Sequence, residues 1–275
     1  MNNTIVNKYD DIHFHYTTSG SSRQVLDMFI KYVTDIASTK FPGVGQLEHL
    51  HKHCHSSKVN ELRLLVFQHI NNHYDWKQAI AKSIGPSLIT ILGPNVYIQK
   101  KVNISIQLPQ DCSSILPMHS DCMSGDSPFQ LNLWIPLTRA YGSNTMFLVE
   151  RETSLRLMCQ QIKMFTILSS ASREQMLQVI HDCNNIPSSK KYYVHAQPGD
   201  FLVFNPAVLH GNELNTTTST RVSLNVRLTT IGAPTPLAKD SDRSFFNYYE
   251  PLLTSKSHAF GMSVYSALET GMQHQ

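Results

Sequence analysis

The sequence predicts an α+β protein, and three observations carry that prediction. Apolar side chains return at helical spacing between residues 21 and 92, the period changes to two from Val96, and short strands separated by turn residues then recur as far as Leu228. With 275 residues, 41% of them hydrophobic and 16% charged, the chain can bury a substantial core. That composition excludes collagen-like, coiled-coil and strongly disordered classes.

The helical part rests on Val25-Leu26-x-Met28-Phe29-Ile30-x-x-Val33 and Leu62-x-Leu64-Leu65-Val66-Phe67-x-x-Ile70, with Gly85-Pro86 and Gly93-Pro94 punctuating its end. In the next segment Val102, Ile104, Ile106 and Leu108 point one way, while Lys101, Asn103, Ser105 and Gln107 point the other. Further strands are expected at Gln130 to Leu137, Thr145 to Val149, Tyr192 to Ala196, Phe201 to Phe204 and Arg221 to Leu228. A helical insert, Glu152 to Cys183, interrupts them and ends near Pro187. The tail from Pro234 is weakly patterned, and its aromatics Phe245, Phe246, Tyr248 and Tyr249 are expected to dock onto the rest. The organisation expected is one domain over residues 1–275: a mainly helical part (1–95), a strand-rich core (96–230) carrying the insert (152–186), and a C-terminal extension (231–275).

Charge and composition narrow the function classes. Twenty-three basic residues stand against 20 acidic ones, a net +3 spread along the chain, so no basic stripe points to nucleic acid. No apolar run approaches the roughly 18 residues of a membrane span, and Met1-Asn-Asn-Thr-Ile-Val-Asn-Lys lacks the charged-then-apolar run of a signal peptide. Cys54, Cys112, Cys122, Cys159 and Cys183 are odd in number and form no Cys-x-x-Cys pair, as expected of free thiols in a reducing compartment. A cytoplasmic protein is the expectation.

The chemistry concentrates in a few positions. Pro117-Met118-His119-Ser120-Asp121 puts an imidazole and a carboxylate two residues apart, on one side of an extended chain, where both can ligate one metal ion. Downstream, Pro198-Gly199-Asp200-Phe201-Leu202-Val203-Phe204-Asn205-Pro206-Ala207-Val208-Leu209-His210-Gly211 supplies a second histidine behind a strand opened by a turn. Two histidines and one carboxylate leave three adjacent metal positions open, the arrangement of non-haem Fe(II) oxygenases. Arg221-x-Ser223 follows, with ten residues between His210 and Arg221. Strand parity puts Arg221, Ser223, Asn225 and Arg227 on one face and Val222, Leu224, Val226 and Leu228 on the other, so the polar face should line a polar cavity.

His119-x-Asp121, His210 behind the Pro-Gly-Asp strand, and Arg221-x-Ser223 together resemble the Fe(II)/2-oxoglutarate-dependent oxygenases, in their phytanoyl-CoA dioxygenase-like branch. The resemblance covers about Val96 to Leu228, roughly half the chain. Within it, Ser143-Asn144-Thr145-Met146-Phe147-Leu148-Val149 is similar to that branch's Asn-Gly-x-Leu-x-x-Val stretch, with Thr145 in place of Gly and without the Pro-Gly-Ser-His that usually follows. The long insert also resembles oxygenases of bacterial carbohydrate clusters. The resemblance implies a double-stranded β-helix, a cupin-like jelly-roll barrel, with N-terminal helices and a helical insert.

It further implies Fe(II) on His119, Asp121 and His210, with 2-oxoglutarate and O2 as co-substrates and Arg221 and Ser223 on the distal carboxylate of 2-oxoglutarate. Asn132 and Gln130 are candidates for co-substrate contact, and Gln107, Trp134, Asn225 and Arg227 for the substrate. The implied reaction is hydroxylation of a small polar metabolite, such as a sugar or a carbohydrate-biosynthesis intermediate, with release of succinate and CO2. Asp121 disfavours halogenation, because halogenases of the superfamily lack this carboxylate. A metal-dependent cupin-like isomerase or hydrolase and a non-catalytic binding barrel are the alternatives, and a homo-oligomer stays open. His49, His51, His53, Cys54 and His55 are dense enough to bind Zn²⁺ or Cu²⁺. No second ligand group at finger-like spacing accompanies them, so a structural loop is expected.

Overall fold

Helix α1 (Gly20–Lys40) turns Leu26, Phe29, Val33 and Ile36 inward at the spacing of one helical stripe and leaves the ion pairs Arg23–Asp27 (2.8 Å) and Lys31–Asp35 (2.7 Å) on its solvent face. The computed structural model describes residues 4–6, 13–18, 20–166, 186–234 and 245–272. His55 caps α2 (Ser56–His73), its side chain accepting from Ser57 N, and Asp75 caps α3 (Trp76–Leu92), accepting from Gln78 N. Gly85 and Pro86, expected to punctuate the helix end, lie inside α3, which continues to Leu92 because Ile84 and Leu88 bury on its inner side. Among the described residues no helix is long and apolar enough to cross a membrane.

The strands are β1 (Thr4–Val6), β2 (His13–Thr17), β3 (Val96–Gln99), β4 (Asn103–Gln107), β5 (Leu131–Pro136), β6 (Met146–Val149), β7 (Lys191–Tyr193), β8 (Asp200–Phe204), β9 (His210–Asn212), β10 (Arg221–Thr229) and β11 (Tyr249–Leu253). The large antiparallel sheet runs β1-β2-β8-β5-β10-β3-β11, with β4 also paired to β10, and a second sheet runs β7-β6-β9. Strand β10 is the spine of the large sheet: β5 pairs along one side, from Ser223 opposite Pro136 to Leu228 opposite Leu131, while β4 and then β3 share the other.

Parity along β10 partitions the molecule. Val222, Leu224, Val226 and Leu228 join Ile104, Ile106, Leu133, Ile135 and Val203 in a core shared with Phe29, Leu62, Ile70 and Ile80 of the three helices. Each such side chain contributes about 1.5–3 kcal/mol by leaving water. The opposite face of the large sheet meets the small sheet through Trp134, Leu202, Phe204, Met146 and Leu148. Two facing antiparallel sheets of this kind form the jelly-roll.

Three features depart from expectation. Strands β1 and β2 precede the helices, and β2 extends the sheet beside β8. The weakly patterned tail supplies α5 (Phe245–Tyr248), edge strand β11 beside β3, and α6 (Lys256–Met272). Pro251, a residue that argues against a central strand, is accommodated because β11 is an edge. The expected insert begins as α4 (Arg151–Thr166), anchored through Leu157 against Phe147, Val149, Ile186 and Leu209, and its continuation to Cys183 lies outside the described residues.

Candidate metal centre

His119, in the connection between β4 and β5, and His210, the first residue of β9, exchange two backbone hydrogen bonds, His119 N to His210 O at 2.9 Å and His210 N to His119 O at 2.8 Å. Such a hydrogen-bonded antiparallel pair sets the two residues side by side, and their rings lie 4.3 Å apart. Asp121 is fixed by the same interlock: its N–H and the Ser120 hydroxyl both donate to Pro206 O, at 3.1 and 2.9 Å. Gly211 leaves room for this crossing. A Cβ there would lie 2.9 Å from Leu116 O and 3.2 Å from Met118 Cα, both backbone atoms.

Each imidazole has its Nδ1 2.8 Å from a carbonyl oxygen, Pro117 O for His119 and Val208 O for His210. A carbonyl only accepts, so each Nδ1 carries a proton, and in the neutral ring Nε2 presents a lone pair. The Asp121 carboxylate lies 3.5 Å from His119 Nε2 through Oδ1 and 3.9 Å from His210 Nε2 through Oδ2. One ligand atom from each residue lies within 4.8 Å of the others, and among the described residues this is the only such group of three or more His, Cys, Asp or Glu side chains. Hard and borderline divalent cations take this donor set, and the carbonyl contacts supply the outer bonds that orient metal-ligating histidines.

Electrostatics agree with a cation site. Burial alone would raise the Asp121 carboxyl, but the hydrogen bond toward His119, the charges of Arg227 and His210, and the Asn132 amide together hold it well below the usual carboxylate range. Burial pushes the fully enclosed His210 down to about 4. His119, also desolvated, is raised on balance by Asp121 and the Pro117 carbonyl. At neutral pH Asp121 is therefore ionised and His210 neutral, both ready for a cation, while a proton that Asp121 favours on His119 has to leave as a cation binds.

A cavity of about 170 Å³ joins this group to Arg221, Ser223 and Asn225 on β10, with Ser105, Leu116, Trp134, Met146 and Asn212 on its walls. Arg221 is 3% exposed. Its Nε donates to Gln107 Oε1 (3.2 Å), directly across the ladder, and its Nη1 to Ser223 Oγ (2.9 Å). Among the described residues no carboxylate pairs with it, and burial pushes its pKa down to about 10. Gln107 is oriented in turn by its donation to Glu213 O at 2.6 Å.

The other sequence candidates have distinct places. Asn132 holds Asp121, donating to Oδ2 at 2.6 Å. Gln130 is absent from the cavity wall and accepts from the Tyr249 hydroxyl at 2.6 Å. Trp134 packs in the intersheet core and shows one side to the cavity. Asn225 keeps a buried Oδ1 without a hydrogen-bond partner. Arg227 faces the cavity, but its guanidinium spans Asp121 Oδ2 (3.0 Å) and Asp126 Oδ2 (3.1 Å). Asp126 carried no signal in the sequence, being neither in a motif nor in register with one. The His49–His55 cluster gathers no ligand set among the described residues. His55 caps α2, and His51 Nδ1 lies 3.0 Å from Thr220 Oγ1, beside Arg221.

No family model matches the chain. It is 27% identical over 157 residues to the streptomycin biosynthesis protein StrG of Streptomyces griseus, an alignment spanning 57% of this chain and 56% of that protein, so little more than half of the relative's length is matched. Among solved structures, EctD from S. alaskensis, determined with 2-oxoglutarate and 5-hydroxyectoine, is similar with a TM-score of 0.51 at 11% identity over 90% of this chain and 79% of that one. The non-haem monooxygenase ThoJ is similar with a TM-score of 0.47 at 14% identity over 87% and 78%. The chain therefore has the double-stranded β-helix fold found in non-haem iron, 2-oxoglutarate-dependent oxygenases.

Proposed function

We propose that the protein is an Fe(II)- and 2-oxoglutarate-dependent dioxygenase that hydroxylates a C–H bond of a small polar metabolite, releasing succinate and CO2. One observation carries the proposal: a fully buried guanidinium with no carboxylate partner among the described residues shares a cavity with a two-histidine, one-carboxylate group. A buried charge is costly unless paired, so Arg221 is a site for a carboxylate that arrives from solution.

His119, Asp121 and His210 would hold the iron, which when bound supplies the activation of O2. Arg221 and Ser223 would bind the distal carboxylate of 2-oxoglutarate, the fork of Arg221 matching a carboxylate's two oxygens. Gln107 keeps that fork aimed into the cavity by engaging Nε. In the overall reaction one oxygen atom enters the substrate's C–H bond and the other enters succinate. The cavity volume of about 170 Å³ falls below the roughly 300–1,000 Å³ of drug-sized ligand pockets, so a co-substrate fills much of it and the substrate sits toward the opening.

A polar substrate is supported by the unpartnered Oδ1 of Asn225 and by Ser105 on the wall, since buried polar atoms seek partners. StrG, named for streptomycin biosynthesis, supports a substrate from small-molecule biosynthesis, in keeping with a sugar or sugar-derived intermediate. Anaerobic Fe(II) with 2-oxoglutarate should give a weak visible charge-transfer band. A screen of sugars, nucleotide sugars and acyl-CoA thioesters, scored by succinate release, should select the polar compounds. Metal binding without that band would instead favour a metal-dependent isomerase or hydrolase, and turnover of the thioesters alone would overturn the polar substrate.

A further inference from the structure

Arg227 stands on the cavity face of β10, yet its guanidinium is engaged by carboxylates, Nη2 with Asp121 Oδ2 at 3.0 Å and Nε with Asp126 Oδ2 at 3.1 Å. Directly opposite it across the β5/β10 ladder stands Asn132, whose Nδ2 donates to the same Asp121 Oδ2 at 2.6 Å. One cross-strand pair thus brings a hydrogen-bond donor and a guanidinium charge to one oxygen. Oδ2 therefore carries the Asn132 hydrogen bond and faces the Arg227 charge, both of which compete with a cation for it. Oδ1 faces His119 Nε2 at 3.5 Å and is the oxygen left for a cation.

We propose that Arg227 and Asn132 are positioning residues of the metal site: together they confine Asp121 to binding through one oxygen, and Arg227 also acts as a counter-charge that weakens the hold on a divalent cation. The proposal rests on His119, Asp121 and His210 being the metal ligands. The two residues differ in charge, which separates their effects. Loss of neutral Asn132 removes alignment alone. Loss of Arg227 removes alignment and also a positive charge that repels the incoming cation, while Asn132 and the Asp121 N–H to Pro206 O bond still hold the carboxylate in place. At these separations, away from bulk water, the charge effect is the larger. It also frees Oδ2 to take a metal position that a three-ligand site leaves open.

The test is titration of the full chain with Co(II) alone, read by calorimetry and by the visible spectrum of the bound ion. Arg227→Gln should bind Co(II) about tenfold more tightly, with a changed spectrum, whereas Asn132→Ala should bind it about tenfold more weakly. Arg227→Lys, which keeps the charge, should stay close to the wild type. A residue that only props the site cannot tighten it when removed, so equal or weaker binding by a folded Arg227→Gln overturns the proposal. If that variant does not fold, Asp126→Asn decides: with the opposing negative charge gone, Co(II) binding should weaken, and unchanged or tighter binding refutes the counter-charge. Failure of the wild type to bind Co(II) would instead overturn the metal-ligand assignment, and this proposal with it.

Discussion

Replacing Arg221 with methionine separates its role in binding from its role in folding. Burial holds its pKa near about 10, against 12.5 in water, which corresponds to about 3 kcal/mol opposing the charge in the empty cavity. The substitution removes that cost but leaves Gln107 Oε1 and Ser223 Oγ without a donor, at about 1–3 kcal/mol for each acceptor orphaned. These terms largely offset, so the ligand-free variant should melt within a few degrees of the wild type. Binding behaves differently. Losing the charged hydrogen bonds to a carboxylate costs about 1.5–3 kcal/mol, or about 10–150-fold in Kd for 2-oxoglutarate. At 2-oxoglutarate near 100 times the wild-type Kd, ligand stabilises by about 2.7 kcal/mol, roughly 5–11 °C for a protein of this size. Thermal melts in anaerobic Fe(II) should show that rise in the wild type, about one degree in Arg221→Met after a hundredfold loss, and an intermediate rise in Arg221→Lys. A full upward shift in Arg221→Met would refute the assignment, all the more if Arg227→Met lost it instead.

Because burial depresses His210 to about 4, below the 6.5 of an exposed histidine, the folded chain takes up that proton less readily than the unfolded one. The stability contributed is therefore complete above pH 6.5 and is lost as pH falls toward 4, by about 3 kcal/mol in total. Urea melts of the metal-free wild type and His210→Gln should diverge over that window, and parallel curves would contradict the burial argument. Gly211→Ala should cost about 1–3 kcal/mol, since its Cβ would press on Leu116 O at 2.9 Å and backbone has little freedom to yield; its Co(II) affinity should drop as His210 shifts, and wild-type values in both would show the crossing to be looser than described. His119→Ala, Asp121→Ala and His210→Ala should each lose Co(II) binding while keeping the far-ultraviolet spectrum of the fold, and saturable Co(II) uptake by any of them would remove that residue from the ligand set.

Period-two patterning was legible because β10 is amphipathic along its whole length: its aliphatic face meets three helices, and its polar face meets a cavity. A single parity argument therefore places Arg221, Ser223, Asn225 and Arg227 together. It does not say which of them has a partner. That Arg227 is occupied by Asp121 and Asp126 while Arg221 has no carboxylate depends on where the loop after β4 travels, and no local pattern records that path. Gln130 shares parity with Asn132, but it precedes β5 and its amide is engaged by Tyr249 from a tail with too little periodicity to announce a strand. Strand β11 and its Pro251 are read correctly only once β3 is known to need an outer neighbour.

The backbone pair between His119 and His210 bears on when the site comes into being. About ninety residues separate its halves, and closing a loop of that size costs the chain on the order of 4–5 kcal/mol in entropy. The paired amide bonds and the packing of the two sheets against each other offset that cost. During synthesis, a chain that has emerged as far as Asp121 displays one imidazole and one carboxylate, a weak chelate that releases whatever it picks up. The complete ligand set therefore exists only once the two sheets have closed, its two halves drawn from segments remote in order of synthesis.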